Sequence, residues 1–461
     1  MTDSTEMIAG VPQGRLRAMA TREAARFARM RPLSRAALDA GAAHYLDRVP
    51  MHWMKDWPNP VPMVVARAKG ARLVDLDGNR VDDFCLGDTG SMFGHSPRPV
   101  AKAIRKQARR GLTYMLPTKA AMQAGALLSD RFGEFQWQIA TTATDANRFA
   151  LRVARAVTGR RKVLVFNGCY HGTVADAMVE LDQGRTVTRP GLVGQVTDLT
   201  ETAVAAEFND LDSVRKALEA GDVAAILTEP VMTNSCMVLP AEGFHAGLRR
   251  LATEFGALLI IDETHTISSG LGGYTRVHGL DPDIFVVGKC VAGGMPTAVW
   301  GLRPAVAQAF QRYDAGRAAG HSGMGTTLSA NPMQFACLKA TLSKVMTEDN
   351  YAHMERGAAR LHAGLAEAVA RHRAPWHVVR VGARVEFICA PGPLRNGTEA
   401  KAAHIHEVEA TVHAALLNRG CLIAPFHNMM LVSPATGDDQ IDRLVAAFDA
   451  VLAELFDPSE T

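Results

Sequence analysis

The stretch Asp283-Ile-Phe-Val-Val-Gly-Lys289 decides both the fold and the chemistry that this sequence supports. Its apolar residues predict a short buried strand, and the strand ends in a single lysine. Upstream, Gly256-Ala-Leu-Leu-Ile-Ile-Asp262-Glu263 is a longer apolar strand that ends in a carboxylate. Because open parallel sheets bind ligands at the carboxyl ends of their strands, we expect the lysine and the aspartate to share one edge of a sheet.

The sequence around these two strands alternates between strands and helices. Strands are predicted at 162–166, 223–228, 257–261 and 284–287, and helices at 144–157, 211–220 and 243–255. This alternation predicts an α/β fold with a mostly parallel sheet that helices cover on both faces. The length of 461 residues suits two or three domains.

We predict three segments along the chain. They are an N-terminal helix and small-domain segment over 1–97, a large domain over 98–345 and a C-terminal small domain over 346–461. One helix is predicted over 335–371. The Arg- and Ala-rich residues 15–35 resemble a transit peptide in composition, but Glu23 and an amphipathic pattern favour a folded or partner-clasping helix.

Composition excludes several classes of protein. Lysine and arginine total 50 against 47 acidic residues, so the net charge of +3 gives no reason to expect nucleic acid or an anionic membrane as partner. The seven cysteines form no CxxC pair and are expected to be free thiols of a reducing compartment. With no apolar run of about 18 residues and no secretory signal, the expected location is the cytoplasm.

Four predicted strand ends carry side chains that suit one cofactor. They present Tyr170-His171, Glu229, Asp262-Glu263-Thr264-His265 and Lys289. A lysine amine forms the Schiff base of pyridoxal phosphate (PLP), and a carboxylate pairs with its pyridine nitrogen. The sequence therefore predicts a PLP site with Lys289 and Asp262 in those two roles.

The phosphate of such a cofactor needs its own anchor. The segment Ala140–Asn147 is rich in small residues and threonines and opens a helix, where backbone N–H groups and the helix dipole favour an anion. A second turn of small residues, Gly325–Pro332, is another candidate.

These motifs together resemble the class III (omega-type) aminotransferases of PLP fold type I, including glutamate-1-semialdehyde aminomutase and beta-amino-acid aminotransferases. The resemblance covers about residues 60–455 and rests on six motifs. They are Asp83–Pro97, Thr142–Asn147, Tyr170-His171-Gly172, Asp262-Glu263-Thr264, the lysine segment Gly288–Gly294 and Thr327–Pro332. It implies a large domain with a mostly parallel sheet and a smaller α+β domain built from both termini.

The resemblance also implies roles for single residues. Thr142, Ala143 and Thr144 belong to the phosphate loop, Tyr170 stacks on the cofactor ring, Thr264 lies under the ring and His265 lies near its phenolic oxygen. Thr327 reaches the phosphate of a neighbouring subunit, so a homodimer with shared sites is implied. This chain departs from the family pattern at Ala143, Asp145, Thr264 and His265, and His171 has either a structural or a direct role.

The expected reaction moves an amino group from a small-molecule donor to a keto acceptor, with Lys289 as the general base. No arginine lies between Leu422 and Val432, where relatives often grip a carboxylate, so a hydrophobic amine or beta-amino acid is the expected donor. Candidate substrate residues are Trp53, Met54, Met92, Met232, Arg384, Phe426 and His427. Arg384 and Glu386 share one face of a strand and form either a surface ion pair or a substrate-carboxylate handle.

Other functions remain open at this point. An aminomutase or a racemase on the same scaffold needs no external keto acid. A dinucleotide-dependent oxidoreductase lacks support, because Gly270-Leu-Gly272-Gly273 has the wrong spacing and context for a GxGxxG motif. A non-catalytic binding protein is disfavoured by the intact Lys289. No metal site is expected, because His404 and His406 diverge if they lie on a helix.

Overall fold

The computed structural model describes residues 6–425 and 427–457. These residues form two compact units. The terminal unit comprises Met1–Ser96, Asp349–Pro393 and Ala402–Thr461, and the central unit comprises Pro97–Glu348 and Leu394–Lys401. The chain thus divides after Ser96 and after Glu348, where the sequence predicts divisions after residues 97 and 345.

Strands and helices are numbered along the chain. The strands are β1 (Met7–Ile8), β2 (Val11–Pro12), β3 (Val65–Lys69), β4 (Arg72–Asp75), β5 (Arg80–Asp83), β6 (Gln136–Ala140), β7 (Lys162–Phe166), β8 (Val179–Asp182), β9 (Arg185–Thr188), β10 (Ala203–Ala206), β11 (Val223–Thr228), β12 (Leu258–Asp262), β13 (Ile284–Val287), β14 (Ala298–Leu302), β15 (His377–Val381), β16 (Arg384–Ile388), β17 (Cys421–Leu422) and β18 (Met429–Leu431). The helices are α1 (Gln13–Met30), α2 (Pro32–Gly41), α3 (Arg98–Ala108), α4 (Lys119–Phe132), α5 (Ala143–Thr158), α6 (Leu211–Leu218), α7 (Phe244–Phe255), α8 (Gly273–His278), α9 (Pro304–Gly316), α10 (Pro332–Lys344), α11 (Glu348–Arg371), α12 (Gly397–Ala403), α13 (His406–Asn418) and α14 (Asp438–Phe456).

A seven-stranded sheet is the frame of the central unit. Its order is β10-β7-β11-β12-β13-β14-β6. The first five of these strands run parallel, and only β14 is antiparallel to its neighbours. Every residue of β11 and β13 is buried, which explains why these strands are continuous apolar runs rather than alternating ones. The predicted mostly parallel α/β sheet is confirmed.

The predicted helix over 335–371 is wrong in one respect, because the structure has two helices there. Helix α10 leaves helical geometry at Val345, and α11 begins at Glu348. Val345 and Met346, which lie between the helices, are buried in the core. Helical periodicity continues through this point in the sequence, but the backbone turns out of the helix, where the Met346 N–H donates to the Thr341 carbonyl at 2.8 Å, one residue further back than in a regular α-helix. Strands β6, β10 and β14 were not predicted from the sequence.

The terminal unit contains three further sheets and the first and last helices of the chain. The sheets are β17-β5-β4-β3, β15-β16-β18 and the two-stranded β1-β2. Helix α1 forms where an N-terminal helix is predicted, α2 follows it, and α1 packs against α13. The Arg31 guanidinium, fully buried, pairs with Asp75 at 3.1 Å and donates to Asn418 at 3.2 Å. The N-terminal helices are therefore part of this unit's core.

None of the helices in the described ranges is both long and apolar enough to cross a membrane. None of the seven cysteines forms a disulfide, and all seven are buried.

Candidate active site

Asp262 ends β12 as a buried carboxylate with three donors around it. Asn147 Nδ2 donates to Oδ2 at 2.8 Å, the His171 ring nitrogen Nδ1 lies 3.0 Å from the same oxygen, and the Thr264 N–H donates to Oδ1 at 3.0 Å. Burial by itself raises the pKa of this carboxyl, but the His171 ring and the other donors outweigh burial and hold the pKa below its usual value. Asp262 is therefore anionic inside the protein.

His171 is the counterpart of this charge. It follows β7 by way of the turn Asn167–Gly172, and its ring is buried. Burial lowers the pKa of the ring, but the neighbouring Cys169 and Asp262 side chains raise it above its usual value overall. Its Nε2 has no hydrogen-bond partner among the described residues. A buried charge with a free donor atom is a feature that usually serves a function rather than stability.

Lys289 directly follows Gly288 at the end of β13. Its backbone adopts φ of 49°, in the left-handed region where a residue with a side chain costs about 1–2 kcal/mol. The Lys289 amine nitrogen lies 2.8 Å from His265 Nε2, and His265 is buried. The Gly288 N–H donates to Thr264 Oγ1 at 3.2 Å, which ties the lysine to the segment that follows Asp262. Such strain at a strand end is typical of functional sites.

The start of α5 lies against Gly288, at the end of β13, and against Gly172, in the turn that follows β7. The Thr142 side chain caps the helix by accepting from the Asp145 N–H at 3.1 Å. A Cβ added at Gly288 would lie 2.9 Å from the Ala143 Cβ, and one added at Gly172 would lie 2.1 Å from Thr144 Oγ1. Close backbone approach of this kind at a helix N-terminus leaves N–H groups and hydroxyls facing the point where the strand ends meet.

The second small-residue turn, Gly325–Pro332, lies beside the segment that opens α5. Ser329 Oγ lies 3.2 Å from Thr141 Oγ1 and 2.7 Å from Thr326 Oγ1. Thr327 itself is exposed. The two candidate phosphate anchors, which are far apart in sequence, are thus neighbours within the central unit.

These groups fit PLP. An anionic buried carboxylate suits a protonated ring nitrogen, a helix start with threonines suits a phosphate, and a half-buried lysine amine suits an aldehyde. Tyr170, the predicted stacking aromatic, is 41% exposed and lies beside His171 in the chain. Thr264 is buried, and its hydroxyl accepts the hydrogen bond from the Gly288 N–H, next to Lys289.

The predicted substrate residues fall into different parts of the molecule. Met232 belongs to the central unit, whereas Trp53, Met54, Met92, Arg384 and His427 belong to the terminal unit, and Phe426 lies outside the described residues. Met92 and Met232 are buried, and Trp53 is exposed. His427 is buried within 3.7 Å of the Asp88 carboxylate.

Arg384 and Glu386 are not a surface ion pair, so that expectation is wrong. Strand β16, which holds both, is the middle strand of its sheet, and all five of its residues are buried. Burial raises the pKa of Glu386 to about 8, although His404 and Arg384 counteract it. Arg384 Nη2 donates to Thr89 Oγ1 at 2.5 Å. Alternation along the strand correctly placed the two side chains on one face, but could not show that the strand is covered.

The contact that Asn147 makes with Asp262 was not predicted from the sequence. Asn147 occupies a fully buried position of α5, among apolar neighbours such as Ala150 and Leu151. An amide at a core-facing position of an amphipathic helix must find a buried partner, and here the partner is Asp262. That pattern is the signal that could have identified it.

Comparison with known proteins agrees with this geometry. Residues 53–452 match the family Aminotransferase class-III. The chain belongs to this family. The class-III chain is 35% identical, over 84% of its length and 89% of the relative's, to a glutamate-1-semialdehyde 2,1-aminomutase of Roseiflexus castenholzii.

Two solved structures are similar to this class-III chain. A glutamate-1-semialdehyde-aminomutase from Pseudomonas aeruginosa has a TM-score of 0.95 and 48% identity, covering 97% of this chain and 100% of the other. A lysine-to-alanine variant of that protein was crystallised in complex with PMP. A beta-phenylalanine aminotransferase from Variovorax paradoxus has a TM-score of 0.84 and 27% identity, covering 95% and 97%. The predicted family, PLP fold type I, enzyme class and cofactor are confirmed.

Proposed function

We propose that this class-III enzyme transfers an amino group between an amine or beta-amino acid donor and a keto acid or aldehyde acceptor. The observation that carries the proposal is the convergence of three groups in the central unit. These are the Asp262–His171 pair, the Lys289 amine beside His265, and the capped start of α5. The three groups suit the ring nitrogen, the aldehyde and the phosphate of PLP, in that order.

The residues divide the work as follows. When bound, PLP supplies an aldehyde that condenses with amines and a ring that takes up electrons when the substrate loses a proton. Asp262, anionic and buried, holds a proton on the ring nitrogen. Lys289 Nζ takes the proton from the substrate carbon, and His265, 2.8 Å away, orients that amine. Thr142, Ala143 and Thr144, at the start of α5, would hold the phosphate.

A hydrophobic donor is the proposed substrate class. The absence of arginine from 422–432 removes one carboxylate grip, and the similar beta-phenylalanine aminotransferase is named for such a donor. Arg384 is the proposed carboxylate reader, because a guanidinium binds a carboxylate through two parallel hydrogen bonds. Its position against Thr89, in the loop that follows β5, keeps the guanidinium fixed.

A second candidate is an aminomutase, which moves the amino group within one molecule. The two glutamate-1-semialdehyde aminomutases that resemble the chain at 35% and 48% identity favour it. The two reactions differ in whether an external acceptor is consumed. Incubating the purified enzyme with racemic beta-phenylalanine or a hydrophobic amine, with and without pyruvate, separates them.

The expected result is a ketone product only when pyruvate is present. Isomerisation of glutamate-1-semialdehyde without any acceptor would assign the aminomutase reaction instead. An enzyme whose absorbance spectrum shows no bound PLP after reconstitution would contradict both.

We also propose that two copies of the chain share their active sites. Several large apolar side chains of the central unit are exposed close together in sequence, and Thr327 is exposed as well. They are Leu112, Tyr114, Met115, Leu116 and Met122. Mixing Lys289→Ala chains with Thr327→Val chains should restore activity through hybrid sites. An active monomer in sedimentation at assay concentration would contradict the shared site.

A further inference from the structure

The turn Asn167–Gly172 determines where His171 lies, and a distant part of the chain holds its first residue. Asn167 is buried at the end of β7. Its Nδ2 donates to Glu207 Oε1 and to Thr398 Oγ1, both at 3.0 Å, and the Thr398 hydroxyl also donates to Glu207. Its Oδ1 accepts from the Leu181 N–H at 3.0 Å. One side chain thus joins four segments of the central unit.

The backbone contact beside this network is tighter still. A Cβ added at Gly397 would lie 1.8 Å from the Asn167 carbonyl oxygen, a distance that no side chain tolerates. Gly168, the next residue, has φ of 80°, and a Cβ added to it would lie 3.6 Å from the Gly397 Cα. Gly397 itself does not adopt a positive φ, so its own backbone conformation does not require glycine. The glycine is therefore needed for the approach to Asn167 and not for the conformation of α12.

The segment 394–401 is fastened to the central unit along its length. Asn209 Nδ2 donates to the Arg395 carbonyl at 2.8 Å, Cys236 Sγ lies 3.6 Å from the Ala400 carbonyl, and Lys401 pairs with Glu180 at 2.9 Å. The chain on either side of this segment belongs to the terminal unit. Among the described residues after Glu348, only these eight group with the central unit.

The other end of the turn is fixed by the active site itself. Gly172 packs against Thr144, and the Thr173 N–H donates to Thr144 Oγ1 at 3.2 Å. Between the two fixed ends, His171 contacts Asp262. The carbonyls of Gly168 and Cys169 accept from Ser235 Oγ at 2.5 Å and Arg189 Nη2 at 2.8 Å, so a shift of Asn167 would strain the short, firmly held turn that leads to His171.

We propose that residues 394–401 are a clamp that positions His171, and through it Asp262, for the reaction. Gly397 and Thr398 are positioning residues, since they act through the turn and not on the substrate. The inference rests on the proposed function, but it predicts a change in the turn that is measurable without cofactor.

The test is Gly397→Ala, with Gly125→Ala as its matched control. Both glycines are in helices of the central unit, but a Cβ at Gly125 has nothing within 4 Å. In an open helix, alanine is favoured over glycine by about 1 kcal/mol, so Gly125→Ala should be neutral or stabilising. In Gly397→Ala, hydrogen exchange of the apoenzyme should accelerate about tenfold at 167–172. In the holoenzyme, kcat should fall about tenfold with KM nearly unchanged, and the pH titration of cofactor absorbance should shift.

A second pair of variants decides the matter if Gly397→Ala does not fold. Thr398→Val removes the hydroxyl at nearly constant shape and should accelerate the same exchange, whereas Thr398→Ser restores it. Exchange at 167–172 that is the same in Gly397→Ala and Gly125→Ala, or in Thr398→Val and Thr398→Ser, would overturn the clamp. Wild-type enzyme that binds no PLP would overturn the proposed function instead and leave the exchange result standing.

Discussion

Replacing Asp262 with asparagine tests the centre of the proposed site. The substitution keeps the size of the side chain but removes the charge that faces His171 at 3.0 Å and one acceptor for either Thr264 or Asn147. Breaking a buried ion pair by removing one partner costs about 3–5 kcal/mol. If at least 3 kcal/mol of this appears in the barrier, at about 1.4 kcal/mol per factor of ten, the rate should fall more than about 100-fold.

The neighbouring residue supplies the control for Asp262→Asn. Glu263 is equally buried, but it accepts from the Thr266 hydroxyl and from the backbone N–H groups of Tyr274 and Thr275, and burial raises its pKa. Glu263→Gln should therefore lower the thermal midpoint without changing the cofactor spectrum. The assay is kcat with a saturating donor, together with the spectrum. A rate for Asp262→Asn within about threefold of wild type, which is only about 0.7 kcal/mol, would refute the reasoning.

The same pair predicts a pH dependence of stability. The folded-state pKa of Asp262 is lowered, so its contribution is present above the unfolded value of about 4 and is lost as pH falls through the folded pKa. The folded-state pKa of His171 is raised, so its contribution is complete below the unfolded value of about 6.5 and is lost as pH rises through the folded pKa. The difference in unfolding free energy between wild type and Asp262→Asn should thus be largest between about pH 4 and 6.5.

The remaining predictions concern Lys289, Arg384 and Arg31, with Arg371 as a surface control. Lys289→Ala should abolish turnover and the borohydride-reducible link to PLP, as peptide mapping would show, and near-normal activity would disprove the assignment. Arg384→Lys should raise KM for carboxylate-bearing donors and leave simple amines unchanged, because lysine lacks the planar pair of donors; equal effects on all donors would make Arg384 structural. Arg31→Met leaves the buried Asp75 carboxylate unpaired and should cost about 3–5 kcal/mol in urea unfolding. Arg371, which is exposed and pairs with Glu367 and Asp449, supplies the matched control: Arg371→Met should leave the urea midpoint nearly unchanged, because exposed ion pairs contribute little.

The sequence was most informative where strands are buried on both faces. Strands β7, β11 and β13 have the predicted bounds, because continuous apolar runs flanked by polar residues have few alternative structures. Strands β10 and β14 were missed, since their alanine- and glycine-containing segments form strands through neighbours that local sequence does not reveal.

The candidate site was predictable as a set of residue types but not as a network. Lys289 and Asp262 were identified from the strands that precede them. The partners of Asp262 come from α5 and from the turn after β7, and the contact between Gly397 and Asn167 joins positions 230 residues apart. Such long-range contacts depend on tertiary packing, so no local pattern encodes them.

Helix α5 fixes the spacing between the proposed phosphate anchor and Asp262. Its cap and first turn hold Thr142 and Thr144, and Asn147, three residues after Thr144, contacts Asp262. A helix advances about 1.5 Å and turns about 100° per residue, so the distance and angle between these groups are set by residue count alone. Many side chains along α5 can change without altering that spacing. A single inserted or deleted residue between Thr144 and Asn147 would turn the amide away from the carboxylate, so length changes at this point should be far more damaging than substitutions.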